Sequence, residues 1–334
     1  MSASLEPTVE EGRAQQARLG YRPYNGPKLE GPRAEIAVDD DRYPPSLGFV
    51  RNPPSTLYCI GDPAALAEGL AVVGARRATP YGRACAEKFA SIAAQHGIAI
   101  ISGGARGCDG VAHRAALACG TPTVAILGGG CDQIYPASHY RLFQQIVDAG
   151  GVVVSEREWS FPALPYTFRE RNRLIAGLAR AVLIVEAGLP SGTFSTADEA
   201  LAANRDVLVV PGAITSPTSA GSNQLMHQGA YPVVSGEAFE DALSRIFPIA
   251  EQETPSGTGD PYARFTDVPE RRRDVLLEAL LADPMRMDDI LRTVPPLLPH
   301  EEEPVAHINV HLAELERDKL IARYPDGRYG PCKA

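Results

Sequence analysis

The segment Phe168-Arg169-Glu170-Arg171-Asn172-Arg173 sets an aromatic ring beside three guanidinium groups. An unpaired nucleic-acid strand needs that combination, cations for its phosphates and a π-face for a base. On a helix, Arg169 and Arg173 would stand on one face with Phe168 at its entrance. Arg76 and Arg77 directly follow an apolar run, where a guanidinium can pair bidentately with a phosphate. Five loops stand out for a second chemistry: Gly74-Ala75-Arg76-Arg77, Ser102-Gly103-Gly104-Ala105-Arg106-Gly107, Gly128-Gly129-Gly130, Glu186 to Thr193 with Ser191-Gly192-Thr193 at its end, and Pro211-Gly212. Glycine lets backbone N–H groups close on an anion, and a following helix N-terminus adds partial positive charge.

Each signal also has a plainer reading. Surface arginines are often only solvated, and a glycine turn can simply join a strand to a helix. Phe168 could belong to the core, Arg171 could pair with Asp109 or Glu186, and Ser191 and Thr193 could cap a helix. Catalytic constellations are weak. Asp109 and His113 lie one helical turn apart, but no G-x-S-x-G elbow, H-E-x-x-H or paired-cysteine pattern occurs. The glycine loops do not spell a dinucleotide fingerprint either, so no cofactor and no metal is expected.

The elements that must position these residues can be read from hydrophobic runs. Strand-length runs at Ala71–Val73, Ile98–Ile101, Thr123–Leu127, Val152–Val154, Val182–Val185 and Val207–Val210 alternate with helical segments near 80–96, 109–119, 137–149, 168–179 and 193–204. That alternation predicts a doubly wound, mostly parallel α/β sheet whose ligands bind beyond the carboxyl ends of the strands. Residues 1–42 read as a loosely ordered arm, 43–249 as the Rossmann-type domain, with Leu57–Ile60 an edge strand, and the polar run 250–261 as a linker. Residues 262–334 read as a small winged-helix-like domain, with helices near 270–282, 286–293 and 304–318 and a hairpin turning at Pro325-Asp326-Gly327. From Tyr262 onward, 11 basic residues face 14 acidic ones, which favours protein contacts over groove insertion there.

The net charge of −9 excludes a generic nucleic-acid coat, so any DNA site must be a local basic cluster. No apolar run is long enough for a membrane span and the N-terminus has no signal-peptide character, which predicts a cytoplasmic protein. The six cysteines are scattered without a C-x-x-C and read as reduced structural thiols.

Taken in order, Ala71-Val72-Val73-Gly74-Ala75-Arg76, Ser102 to Asp109 with Ala112-His113, Phe168-x-x-Arg171-Asn172-Arg173-Leu174-Ile175-Ala176-Gly177, Val185-Glu186-Ala187-x-x-x-Ser191-Gly192-Thr193, and Val210-Pro211-Gly212 through Gly221-Ser222-Asn223 resemble the DprA/Smf (DNA-processing protein A) family. The resemblance runs from about Tyr43 to Phe247. It implies an extended Rossmann fold that binds and protects single-stranded DNA without sequence preference and helps to load the RecA recombinase in natural transformation. It also implies a homodimer through the C-terminal part of the core, and a DNA pocket around Arg76 and Phe168 to Arg173. Three departures stand out: a short arm replaces the usual N-terminal helical domain, Cys108 stands where an aliphatic residue is common, and Leu164-Pro165-Tyr166-Thr167 lacks a frequent basic residue, a contact that Arg169 could supply.

The dimer surface is expected at the edge after Val207–Val210 together with a helix at Ala238–Phe247. Its Phe239, Ala242, Leu243, Ile246 and Phe247 form an apolar stripe, which could equally be buried in the chain's own core. The competing reading is a nucleotide-cleaving phosphoribohydrolase on the same fold, for which Leu189 to Thr193 followed by Asp198-Glu199 is a poor match.

Overall fold

The computed structural model describes residues 7–247 and, beyond them, 276, 280, 285–293, 308, 311–312, 315–317, 321–324 and 327–331. The chain divides into two compact units, Met1–Glu251 and Gln252–Ala334.

The first unit is built on a sheet of nine strands in the order β1-β2-β6-β5-β4-β3-β7-β8-β9. Its centre comprises β3 (Gly69–Val73), β4 (Ile100–Ser102), β5 (Thr123–Ile126), β6 (Val152–Ser155), β7 (Ala179–Ile184) and β8 (Asp206–Val209). All of these pairings are parallel, and β9 (Tyr231–Pro232) continues them beyond β8. Alternation along the strands sorts side chains between two layers. Ala71, Val73, Val182, Ile184, Val207 and Val209 face one core with Leu174, Ile175, Ala197 and Leu225, whereas Leu70, Val72, Ala181, Leu183, Leu208 and Val210 face another with Ala86, Phe89 and Ala112. The first core is therefore covered by α5 (Pro165–Leu178), α6 (Thr193–Ala202) and α7 (Ala220–His227), the second by α2 (Pro80–Gln95), α3 (Cys108–Ala118) and α8 (Gly236–Ile246). A third cluster places Phe143 and Ile146 of α4 (Tyr140–Asp148) against Ala125, Leu127 and Val153. This is the doubly wound α/β sheet that the hydrophobic runs predict.

Local signals explain the helix ends. Thr79 caps α2, its hydroxyl accepting from the Gly82 amide at 3.1 Å, with Pro80 at the first helical position and Gly97 beyond the end at φ +72°.

Three expectations are corrected. Residues 1–42 are not simply a loose arm, because they contain α1 (Val9–Arg18), capped reciprocally by Thr8 and Glu11, and β1 (Arg33–Ala37). The segment Leu57–Ile60 is not an edge: β2 (Thr56–Gly61) lies between β1 and β6 and runs antiparallel to both. The stripe on α8 is not an external face, since Phe239, Ala242, Leu243 and Phe247 are buried within this chain, Phe239 edge-on to Phe89 at 5.0 Å. The sequence shows an amphipathic helix; only the fold shows that its own sheet layer takes up the apolar side.

In the second unit, β10 (Met285–Arg286), β12 (Arg328–Pro331) and β11 (Ile321–Arg323) form an antiparallel sheet in that order, beside a helix at Met287–Thr293. Gly327, at φ +84°, closes the hairpin. Most of the helices expected at 270–282 and 304–318 lie outside the described residues.

The buried polar groups include a proton-sensitive one. His113 on α3 is fully buried, and its Nδ1 lies 2.8 Å from Thr123 Oγ1. The Thr123 hydroxyl proton goes to the Ile100 carbonyl at 2.6 Å, so Nδ1 must be the donor and the unpaired Nε2 carries the lone pair. Burial lowers the His113 pKa to about 3. The imidazole is neutral in the fold and protonates readily only in the unfolded chain. Its contribution is therefore intact above about pH 6.5 and is lost as pH falls toward about 3, up to roughly 5 kcal/mol over that window. Urea unfolding at pH 7.5, 5.5 and 4 should show this loss, and His113→Asn should flatten it; an unchanged pH dependence in the variant would place the acid sensitivity elsewhere.

Candidate nucleic-acid interface

Strand order reverses between β3 and β7, since β4, β5 and β6 extend one way from β3 while β7, β8 and β9 extend the other. Loops leaving the carboxyl ends of such a pair diverge to opposite layers and open a crevice. A cavity of about 390 Å³ lies there. Its lining includes Gly74 and Arg76 after β3, Phe168, Arg169 and Asn172 on α5, and Pro190 to Thr193 between β7 and α6. A second cavity of about 220 Å³ adjoins it, lined by Arg76, Arg77, Arg106, Tyr135 and Phe168 among others. Arg76, Ala105, Phe168 and Arg171 belong to both, so the Phe168 ring forms a partition between them.

Phe168 is half-buried and stands between two groups. The Arg76 guanidinium carbon is 5.2 Å from its ring centre, and the Tyr135 ring is 5.1 Å away at 51°. Both spacings fit direct cation–π and aromatic contact. Around this ring Arg76, Arg77, Arg106 and Arg169 are all exposed. Among the described residues the one acidic side chain lining either cavity is Asp109, which is 5% exposed. The rim is thus a local basic cluster on an acidic protein.

Helix N-termini that could attract phosphate are partly occupied by the chain itself. Asp109, in the first turn of α3, accepts from the Gly103 and Ala105 amides at 3.1 and 3.3 Å. Glu186, after β7, accepts from the amide and hydroxyl of Thr79, both at 2.9 Å, at the start of α2. The start of α6 also lies on the cavity wall, with its Thr193 amide donating to Ser191 Oγ at 3.2 Å. There the Ser191 hydroxyl bonds Thr193 Oγ1 at 2.9 Å, and Asn172 reaches Ser195 Oγ at 2.7 Å.

Arg171 runs beneath the floor. It is 4% exposed and donates to the Gly103 carbonyl at 2.8 Å and to the Ile126 carbonyl, bridging the ends of β4 and β5 from α5. Burial lowers its pKa to about 10, against the opposing pull of Asp109. Burial likewise raises the Asp109 pKa, and Arg171 pulls it back down. A Cβ on Gly103 would come within 2.5 Å of the Arg171 nitrogens, so glycine is needed to admit the guanidinium.

Several expected contacts are therefore corrected. The Ser102 hydroxyl is buried and donates to the Val72 carbonyl at 2.6 Å, so it faces β3 and no ligand. Gly104 is buried, and a Cβ there would strike the Phe143 ring. Gly107, at φ +79°, passes so close to the Ala75 carbonyl that a Cβ would lie 2.1 Å from it. These residues shape the loop, and two of its amides are already taken by Asp109. Arg173 does not join Arg169 at the cavity: it pairs with the buried Glu156 at 2.6 Å and donates to the carbonyls of Arg51, Asn52 and Glu170. Cys108 is a packing residue, its thiol raised to about 12 by burial and its Sγ 2.7 Å from where a Gly74 Cβ would stand. Tyr135 went unnoticed in the sequence; its position after Gly128-Gly129-Gly130, on a loop leaving β5, was the available signal.

Residues 35–244 match the family model for DNA recombination-mediator protein A. The chain is 36% identical to protein Smf of Escherichia coli over 293 residues, 87% of this chain and 76% of that protein. It also superposes on DNA processing protein A of Streptococcus pneumoniae, with a TM-score of 0.59 and 34% identity over 63% of this chain and 74% of that one. DNA processing protein A of Helicobacter pylori, whose structure concerns its single-stranded DNA binding mode, gives a TM-score of 0.59 and 29% identity over 66% of this chain and all of that one. With the family pattern running from within β1 to within α8 and covering both sides of the crevice, the chain belongs to the DNA recombination-mediator protein A family, the DprA/Smf group.

Proposed function

We propose that this chain binds single-stranded DNA at the crevice between β3 and β7, protects it, and helps to deliver it to the RecA recombinase. The observation that carries the reading is the half-exposed Phe168 ring ringed by four exposed arginines with no exposed acid among the lining residues. Guanidinium groups and a ring face engage backbone and base without reading a donor–acceptor pattern, so binding tolerates any sequence. The groups that would touch the strand are Arg76, Arg77, Arg106, Phe168, Arg169 and Asn172, with Gly74, Ser191, Gly192 and Thr193 alongside, while Gly107 shapes the loop behind them. Ser102, Gly103, Gly104, Arg171 and Arg173 support them from below.

The same site reads as a binder rather than an enzyme. The Ser191 hydroxyl is held by Thr193, and Glu186 is engaged at the start of α2. Work in the cytoplasm is part of this reading; among the described residues no helix is long and apolar enough to cross a membrane. A homodimer remains part of the reading, with its surface elsewhere than on α8. The edge strand β9 and its flank, where Tyr231 is 40% and Val234 71% exposed, are available for it. The C-terminal unit, read as a winged helix, would contact protein.

Salt titration of the full chain on fluorescent oligo(dT) and on a duplex of equal length tests the proposal. Tighter binding to oligo(dT), with affinity falling steeply as salt rises, is the expected result. Equal affinity for both forms would reject the single-strand site, and sedimentation of the same preparation should show twice 35.7 kDa.

A further inference from the structure

The proposed site does not absorb the N-terminal segment, whose charge is unlike that of the rest of the molecule. Residues 12–34 contain five basic residues, Arg13, Arg18, Arg22, Lys28 and Arg33, and one acid, Glu30, within a chain of net charge −9. Lys28 and Arg33 are engaged by Asp132 at 2.8 and 2.6 Å. Arg13, Arg18 and Arg22 are exposed and form no ion pair among the described residues. Two apolar side chains stand between them in open solvent, Leu19 at 52% and Tyr21 at 49% exposure. Interleaved arginine and aromatic side chains repeat the chemistry of the Phe168 cluster.

This segment is also attached to the two loops that build that cluster. Gly12 of α1 packs so closely on the loop before α5 that a Cβ would lie 2.8 Å from the Phe161 ring and 3.0 Å from Pro162. The Gln16 amide, on the same buried side, reaches the Arg22 carbonyl at 3.4 Å and folds the turn back on the helix. Tyr24 then packs against the cluster that contains Cys131 and Ile134, and Lys28 and Arg33 close on Asp132, three residues before Tyr135. The two loops are themselves joined, the Gly130 amide donating to Phe161 at 2.9 Å and the Asp132 amide to Trp159 at 2.8 Å. The arm thus packs on the loop that leads into α5, which carries Phe168, and on the loop that carries Tyr135.

We propose that the exposed side of α1 and its following turn, Arg13, Arg18, Tyr21 and Arg22, is a second contact for the single strand that occupies the crevice, engaged by nucleotides flanking those in the cavities. This rests on the single-strand reading of the crevice. The partner follows from charge complementarity and from continuity with the loop of Tyr135 and the loop that leads into α5; Glu10 and Glu11 keep the contact away from the first turn of the helix.

The test compares oligo(dT)6, which can occupy only the crevice, with oligo(dT)25, which can also reach the arm. The two are titrated with salt against wild type, the triple variant Arg13→Gln/Arg18→Gln/Arg22→Gln, and the single reversal Arg18→Glu. On oligo(dT)25 the triple variant should lose about 2 from the slope of log affinity against log salt, at roughly 0.7 per phosphate contact, while on oligo(dT)6 its slope should match wild type. Arg18→Glu should weaken the long oligonucleotide alone. Equal slopes for wild type and triple variant on oligo(dT)25 would overturn the arm contact and leave the crevice standing. Loss on both lengths would also overturn it, because the arm would then act through the crevice. Failure of wild type to bind either oligonucleotide would remove the crevice reading and this one with it.

Discussion

Replacing Arg171 with alanine should destabilise the fold by about 3–5 kcal/mol at neutral pH, far more than the loss of any exposed arginine around the cavities. Three groups lose their partner at once. The carbonyls of Gly103 and Ile126 give up a charge-assisted donor, and Asp109 keeps its two amide bonds but loses the cation that opposes its burial. The consequence has a sign that can be measured. With Arg171 gone, the Asp109 carboxyl rises further above its unfolded value, so the folded variant binds a proton where the unfolded chain does not. A group of that kind loses stability as pH rises through its folded pKa and regains it on acidification. The deficit of the variant relative to wild type should therefore be largest near pH 7.5 and shrink toward pH 5. Arg171 is also one of the lesser causes that lower the His113 pKa, so its loss eases the acid penalty of that imidazole and shrinks the deficit in the same direction. Arg171→Lys should recover part of the loss, since an ammonium keeps the charge but lacks the fork that reaches two strand ends. If Arg171→Ala unfolds at the wild-type urea midpoint and instead shows a shallower salt dependence on oligo(dT), then Arg171 is a phosphate ligand and the buried assignment is wrong.

The two possibilities for Arg171 are indistinguishable in the sequence. The spacing of Phe168, Arg169, Arg171 and Arg173 fixes where each lies around a helix, but not what surrounds the helix. Pro165–Leu178 packs on the sheet beside α6, and one turn presents Arg169 to the cavity and Arg171 to the strand ends, while Arg173 meets Glu156 just after β6. Those partners are 17 and more residues away, and no local rule forecasts them. The strands of the parallel sheet were legible because they are continuous apolar runs buried on both faces, and the helices because Thr79, Gly97 and Gly120 punctuate them. The strand β1 was not, since Arg33-Ala34-Glu35-Ile36-Ala37 buries one side chain completely, Ile36, and otherwise reads as polar chain. The glycine loop misled in an instructive way: glycines that admit an anion also admit a buried carboxylate, and here Asp109 from the next helical turn takes the amides first. The apolar stripe of α8 likewise carries no label saying whether its partner is Phe89 of the same chain or a second copy.

Phe168→Ala and Arg76→Ala should both weaken binding to oligo(dT), and salt should tell them apart. Loss of the ring removes a stacking surface worth roughly 1–3 kcal/mol per base, a contact that does not depend on counterion release. Its effect should accordingly persist at 0.5 M salt with an unchanged slope. Loss of Arg76 removes one cation from the rim, so the slope should fall by about 0.7 and the deficit should fade as salt rises. The two effects should not add. In the free protein the Arg76 guanidinium lies over the Phe168 ring at 5.2 Å, so each side chain fixes the position of the other before any strand arrives. Once one is gone, the other is less well placed, and the double variant should bind better than the product of the two single losses implies. Tyr135→Ala extends the cycle, because its ring supports the Phe168 ring from a different direction at 5.1 Å. It should lower affinity at high salt without altering the slope, as an aromatic support would and a phosphate contact would not. Strict additivity of Phe168→Ala and Arg76→Ala, measured with all variants folded by circular dichroism, would show that the cation and the ring act on separate nucleotides, and the crevice would then be two independent contacts instead of one.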